Sequence, residues 1–315
     1  MHTVTKTRKI GRIAIWCIAG TLVAAIAGMA AIPILLLPDM ILLHADVEER
    51  TAQEFGIAAN EVTLLTSDQL ALVAWEVPVD QPKGVVMLLS GIHNPSVTEF
   101  FGYAKFLQEQ GFASLLIEQR AHGRSEGDRI GLGMEEYRDV AAGIDYLQDA
   151  GYADLPMLVW GTSMGGTTAL VAAAKLPELD GVISASAFSS WSAVFADQMT
   201  LMGAPQWFSQ LTVPFVDLYL AVIYGWDAMQ NKPVRLVSQV KQMPLLLMHS
   251  TEDSQVPFAN YERLRSKLQN ADSLQTLIRH GDAHFIIKEE AAADLHQDPE
   301  FTQAVMQFLA QFAAP

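Results

Sequence analysis

Two kinds of apolar pattern divide the chain. The first is one uncharged stretch from Ile13 to Pro38, preceded by Lys6, Arg8, Lys9 and Arg12 and followed by Asp39. As a helix it would reach about 39 Å at 1.5 Å per residue, against roughly 30 Å of bilayer hydrocarbon. Pro33 and Pro38 are expected to fray or kink its C-terminal end, because proline lacks the helical N–H and clashes with the preceding turn. That leaves about Ile13 to Ile32 as the span. Trp16 lies near the basic end, where interfacial aromatics collect. Asp39, Asp46, Glu48 and Glu49 follow the stretch, so the positive-inside rule puts the N-terminus in the cytoplasm and the rest of the chain on the outer, periplasmic or extracellular, side. A cleaved signal peptide is the rival, with Ala25-Ile26-Ala27 or Gly28-Met29-Ala30 as its cleavage site. The apolar stretch is longer than a signal core, however, and continues past both sites. Trp16 before Cys17 disfavours a lipoprotein signal, and a buried helix of a soluble domain is the remaining alternative. The expectation is an uncleaved anchor.

The second pattern begins near Val62, where short apolar runs alternate with longer amphipathic stretches. Expected strands are Val62–Thr66, Leu70–Val77, Gly84–Ser90, Ala113–Ile117, Met157–Trp160, Gly181–Ser186, Leu245–His249 and Leu274–Ile278. The first two are separated by Ser67-Asp68-Gln69, a hairpin spacing. Most of the others are continuous apolar runs, as strands covered on both faces require. Expected helices are Ser96–Gln110, Met134–Ala150, Met164–Leu176, Phe258–Gln269 and Pro299–Phe312. This alternation implies a doubly wound, mostly parallel sheet that opens with an antiparallel hairpin. Residues 187–243 break the rhythm: they hold no clear strand and are rich in Trp, Phe, Met and Leu. They form either core helices or a helical, lid-like wall over the sheet edge.

Composition narrows the classes. Half of the 315 residues are hydrophobic and only 17% are charged, which excludes a disordered chain. A formal charge of −15, from 20 Lys+Arg against 35 Asp+Glu, argues against nucleic acid as a partner, because a phosphate backbone would be repelled. The single cysteine rules out an intramolecular disulfide and a cysteine-clustered metal site. Residues 1–40 carry +3, so the acidity belongs to residues 41–315, which hold −18.

The chemistry is concentrated in three loops. Met157–Trp160 runs into Gly161-Thr162-Ser163-Met164-Gly165-Gly166 and then into a helix. This is the strand, G-x-S-x-G, helix context of a nucleophile elbow, with the glycines clearing space in a tight turn and the helix N-terminus facing a developing oxyanion. Chance produces the pentapeptide in about one chain in ten of this length, so its placement carries more weight than the pattern. A serine nucleophile needs a base and a group that orients the base. In an open α/β sheet both are expected at the C-terminal ends of later strands. The loop after Leu245–His249 offers Asp253, with Glu252 as the rival acid. The loop after Leu274–Ile278 offers His284, with His280 as the rival base. The order Ser…Asp…His is that of this scaffold.

These residues carry a resemblance. From about Val62 to the C-terminus the chain resembles the α/β-hydrolase superfamily, in its lipase/esterase-like and serine-aminopeptidase-like branch. Val85–Ile92 is similar to the oxyanion strand and turn, Glu118–Ser125 to the D-x-R-G-H-G-x-S turn, Gly161–Gly166 to the elbow, and His249–Pro257 to the acid loop. The resemblance implies catalytic Ser163, Asp253 and His284, an oxyanion hole from the backbone N–H groups of Ile92 and Met164, and neither metal nor organic cofactor. Four positions depart from the pattern. Ser90 replaces the histidine that often braces the oxyanion turn, Glu118 and Ala121 replace Asp and Gly, and Ser250 replaces a glycine before the acid. His93 is close enough to brace the loop or meet substrate, and Arg120 and His122 are expected to hold their own turn. The implied organisation is a cytoplasmic basic segment at 1–12, an anchor at 13–38, a linker at 39–60, and a hydrolase domain at 61–315 with its insertion at 187–243. The implied activity is hydrolysis of a carboxylic ester, with a lipophilic acyl substrate suggested by the insertion and the anchor. A peptidase, amidase or thioesterase would use the same triad, and a non-catalytic binding module on the same scaffold is the alternative from another class.

Overall fold

The computed structural model describes residues 2–42, 45–240, 243–268 and 273–313, without the side chains of residues 2–15 and of Glu289. The four N-terminal basic side chains and Gln269, the expected end of one helix, therefore lie outside the described residues. One eight-stranded sheet organises the body, in the order β1-β2-β4-β3-β5-β6-β7-β8. The strands are β1 (Asn60–Leu65), β2 (Ala71–Val77), β3 (Val85–Leu89), β4 (Ala113–Ile117), β5 (Met157–Thr162), β6 (Gly181–Ala185), β7 (Leu245–Ser250) and β8 (Leu274–Arg279). β1 pairs antiparallel with β2 and β2 with β4, and every later pairing is parallel. All eight expected strands are present, with ends shifted by at most two residues. The continuous apolar runs are legible for a physical reason: β3, β4, β5, β6 and β7 are buried at every position.

The helices cover both faces. α1 (His2–Leu42) precedes the sheet, and α2 (Phe101–Glu109), α3 (Tyr137–Leu147), α4 (Met164–Lys175), α5 (Trp191–Leu201), α6 (Gln206–Ala228), α7 (Pro233–Leu236), α8 (Ala259–Lys267) and α9 (Pro299–Leu309) follow in order. Along β3, Val86 and Leu88 face α2 and α9 in one apolar cluster, while Val85, Met87 and Leu89 face α3, α4 and α8 in another, as the two-residue period of a strand dictates. The described residues of the interval 187–243 hold α5, α6 and α7 and no strand.

A third apolar cluster lies outside these two layers. It joins α5 and α6 to Met164, Ile92, Phe188 and, from the N-terminal helix, Leu37, Met40 and Ile41. This explains a departure from expectation: α1 does not end at Pro33 or Pro38 but continues through both to Leu42. Proline costs a helix one hydrogen bond, roughly 3 kcal/mol in an exposed interior. Burial of Pro33, Leu37 and Ile41 against the domain offsets that cost, since a fully buried Leu or Ile contributes about 2 kcal/mol. The Ile41 carbonyl also accepts from the Ile130 amide at 2.9 Å, which ties the helix end to the body.

Candidate active site

The β5–α4 turn places Ser163 at φ 57°, ψ −117°, in the left-handed half of the backbone map that a residue with a Cβ rarely occupies. Such strain persists only where the surroundings enforce it, and here they do. A Cβ on Gly161 would lie 2.0 Å from the Gly165 carbonyl oxygen, and one on Gly165 would lie 2.5 Å from those of Leu89 and Ser90. The glycines thus let helix and strand ends meet beneath the serine. The Ser163 amide donates to the Ala185 carbonyl at 2.8 Å, locking the turn to the end of β6.

Asp253 and His284 come together as the loop order predicts. His284 Nδ1–H donates to both carboxylate oxygens of Asp253, at 3.0 and 2.9 Å. Both residues are buried, whereas the rivals Glu252 and His280 are exposed. Asp253 Oδ1 also accepts from the amides of Gln255 at 2.9 Å and Val256 at 2.8 Å. Burial pushes the Asp253 carboxyl upward, but its bonds to His284 and to these two amides prevail and hold it below the usual carboxylate range. His249, at the end of β7, donates from Nε2 to the Val256 carbonyl at 2.8 Å and shapes the acid loop from beneath. Burial lowers its pKa, so it serves as a neutral brace.

Several supports escaped the sequence reading. Ser186 follows β6 with φ 51°, and its hydroxyl donates to the His284 carbonyl. Ser250 donates to the Ala283 carbonyl at 2.8 Å, so the residue standing where the family pattern has glycine fastens the base loop. The loop is pinned at both ends by Asp298. Arg279 grips that carboxylate with two nitrogens, at 2.5 and 2.9 Å, and the Lys288 amide donates to it at 3.0 Å. Gln119 Nε2 donates to the Ser90 carbonyl at 3.1 Å, holding the turn beside the serine. Common polar residues in these roles have no motif, so only their three-dimensional placement identifies them.

Gly91 runs against the serine: a Cβ there would lie 3.4 Å from Ser163 Cβ and 3.8 Å from Oγ. Ile92 follows, and Met164 opens α4, where the first amides of a helix have no intrahelical acceptor. These are the two residues expected to supply oxyanion donors. His93, at φ 56°, donates from Nε2 to the Met40 carbonyl at 2.9 Å. Its partner is thus the last turn of α1, across 53 residues of chain. Arg120 and His122 hold their own turn as expected. Arg120 donates to Asp139 from its backbone and guanidinium at 2.7–2.9 Å and to Asp68 at 2.8 Å, and His122 Nδ1 donates to the Arg120 carbonyl at 2.9 Å. Ala121 adopts φ 58° where the family pattern has glycine. Glu118 is fully buried and accepts from Ser96 Oγ at 2.9 Å and the Val97 amide at 3.2 Å. Burial outweighs these bonds and pushes its carboxyl up to about 7. Among the described residues no group of three or more His, Cys, Asp and Glu side chains is placed to hold a metal.

Residues 98–311, more than half of the chain, match the prolyl oligopeptidase family. The chain belongs to that family. Its membership agrees with the resemblance to α/β-hydrolase serine hydrolases, and so does the fold. A Pyrococcus furiosus esterase, Pf2001, is similar at a TM-score of 0.66 and 18% identity, with 87% of this chain and 99% of that one covered. Among curated relatives, the acylamino-acid-releasing enzyme of Rattus norvegicus is 27% identical over 67% of this chain and 29% of its own length. An uncharacterized membrane protein of Saccharomyces cerevisiae, YNL320W, is 28% identical over 44% of this chain and 49% of its own. The chain thus spans about half of one curated relative and less than a third of the other. Esterase and peptidase both appear among these names, so membership in the family does not choose between an ester and an amide.

Proposed function

We propose that the protein is a membrane-anchored serine hydrolase that cleaves a carboxylic ester, with a lipophilic acyl group, through an acyl-serine intermediate. The observation that carries the reading is the buried Asp253–His284 pair on the same sheet edge as the strained Ser163 turn. Ser163 Oγ attacks the carbonyl carbon while His284 Nε2 takes its proton. Asp253 fixes the tautomer by accepting from Nδ1–H and stabilises the imidazolium. The Ile92 and Met164 amides receive the tetrahedral oxyanion. His284 then returns the proton to the departing alkoxide, activates water, and restores the serine by the same path in reverse.

Two features favour an ester of apolar character. The cluster that includes Met164 and Ile92 is built from Phe188, Trp191, Val194 and the inner face of α6, an apolar wall suited to an acyl chain. Trp16–Leu42 is also long and apolar enough to cross a bilayer, with only 11% of its most apolar window buried in the fold. The charge bias of its flanks supports an outer location for the catalytic domain. p-Nitrophenyl esters of rising chain length, assayed beside peptide and thioester substrates, test the reading. Ester turnover that rises with acyl length is expected, and preferential cleavage of a peptide bond would overturn it.

A further inference from the structure

The last three turns of α1 do not project freely from the domain. Residues 16–28 are exposed throughout, but from Met29 to Ile41 one side of the helix is partly or fully buried while Ile34, Leu35 and Leu36 face outward. Their packing partner includes α6, through Val216, Tyr219, Leu220, Ala221, Ile223 and Tyr224. The outer face of α6 is apolar as well. Trp207 is 68% exposed, Leu211 47%, Leu218 53% and Val222 75%, at spacings of four and seven that place them on one stripe. The exposed positions from Gln206 to Tyr224 include no charged residue. Asp217, the one acid in that stretch, is half-buried and accepts from Lys232 Nζ at 2.6 Å. A chain with −18 on residues 41–315 thus keeps an uncharged stripe beside the helix read as its anchor, with the exposed acids Asp39 and Asp227 at its margins.

A span that crosses the bilayer between about Ile13 and Ile32 brings the bilayer surface to the part of α1 that lies along the domain. We infer that the outer faces of α6 and of the last turns of α1 bed together in that lipid surface. The occupant of the stripe is therefore the bilayer that holds α1, and no second protein is needed to cover it. One face of α6 is packed inside the fold, which favours an interfacial helix lying in the surface over a second span. Its inner face belongs to the same cluster as Met164 and Ile92, so about one helix diameter, 10 Å, separates lipid from the oxyanion side of the site. The inference extends to the substrate: an acyl chain would approach the serine from the bilayer side of this cluster. This last step rests on the ester reading; the membrane contact itself does not.

The full chain, carrying Cys17→Ser and reconstituted in phosphatidylcholine vesicles, tests the contact through single cysteines bearing an environment-sensitive fluorophore. The positions are Val222→Cys on α6, Leu22→Cys within the span, and exposed Asp149→Cys after α3. Nitroxide-bearing lipid is expected to quench the probe at 222 at least threefold more than that at 149, with iodide showing the opposite order. Equal behaviour at 222 and 149, with 22 still lipid-quenched, would overturn the inference and leave the anchor intact. Aqueous behaviour at all three would overturn both. A catalytic arm separates the contact from the ester reading: Val222→Asp is expected to lower turnover of a vesicle-embedded long-chain ester about tenfold and leave a soluble short-chain ester unchanged. Equal loss on both substrates, or loss on neither, contradicts the proposed route for substrate.

Discussion

On the sheet side of the candidate site, Asp253, the loop of His284 and the backbone of the Ser163 turn are held by directional bonds. Asp253 has three donors, the base loop is tied down by Ser186, Ser250 and Asp298, and the serine turn is locked by close glycine contacts. The insertion side, built from α5, α6 and the end of α1, meets the site chiefly through an apolar cluster, with directional bonds at its margins: His93 to the Met40 carbonyl, Tyr224 to the Ile130 carbonyl, Gln198 to the Ser254 and Gln255 carbonyls, and Arg263 and Asn260 to Asp197. Directional bonds fix atoms to within tenths of an ångström, as proton transfer demands. Apolar packing excludes water and accepts shape variation. The contrast assigns chemistry to the first side and substrate choice to the second.

The sharpest way to break that division is to disturb one bond on the sheet side. Asp253→Asn keeps the shape but allows the wrong tautomer of His284, and kcat is expected to fall about 10⁴-fold. Glu252→Gln, one residue away but exposed, should retain near wild-type turnover in the same ester assay. Comparable losses in both would mean that the pairing of Asp253 with His284 is not what matters.

A second prediction concerns stability beneath the site. The Glu118 carboxyl is raised to about 7 in the folded protein from an ordinary value of 4.5. A raised carboxyl binds its proton more tightly when folded, so its contribution to stability is fully present below about pH 4.5 and is lost as the pH rises through 7. Glu118→Gln imitates the protonated form at every pH. Relative to wild type, the variant should gain stability between pH 5 and 8, by up to about 3 kcal/mol. Thermal denaturation at the two values checks this, and a pH-independent difference would contradict it.

The smallest expected effect lies where the two sides meet. His93 neighbours Ile92 and reaches the last turn of α1, so it is expected to act as a positioning residue for the proposed oxyanion donor. His93→Ala should lower kcat about tenfold with little change in KM, the signature of support lost only in the transition state. His93→Gln, which keeps a donor of similar reach, should recover most of the loss. A change confined to KM would place His93 in substrate binding instead.

The same division explains what could be read from the sequence. Strands buried on both faces are legible because burial demands an uninterrupted apolar run, and the serine turn is legible because its sterics demand glycine at fixed offsets. Asp253 and His284 follow from the chain order of the loops. The path of α1 past Pro33 and Pro38 is not legible, because local propensity argues for a break and only packing against distant parts of the chain, from Ile92 to Tyr224, overrides it. The sequence of residues 187–243 does not choose between helical wall and core, for a similar reason. Apolar content shows that these helices bury surface, but not against what. Ser186, Ser250 and Asp298 are ordinary polar residues whose roles exist only once distant loops converge.

Fluorophosphonate labelling of the full-length protein tests the central claim most directly, because the reagent reports a serine activated by its own base. The account predicts stoichiometric labelling on Ser163 that disappears in Ser163→Ala and falls steeply in Asp253→Asn. Labelling that persists undiminished in folded Ser163→Ala would contradict it.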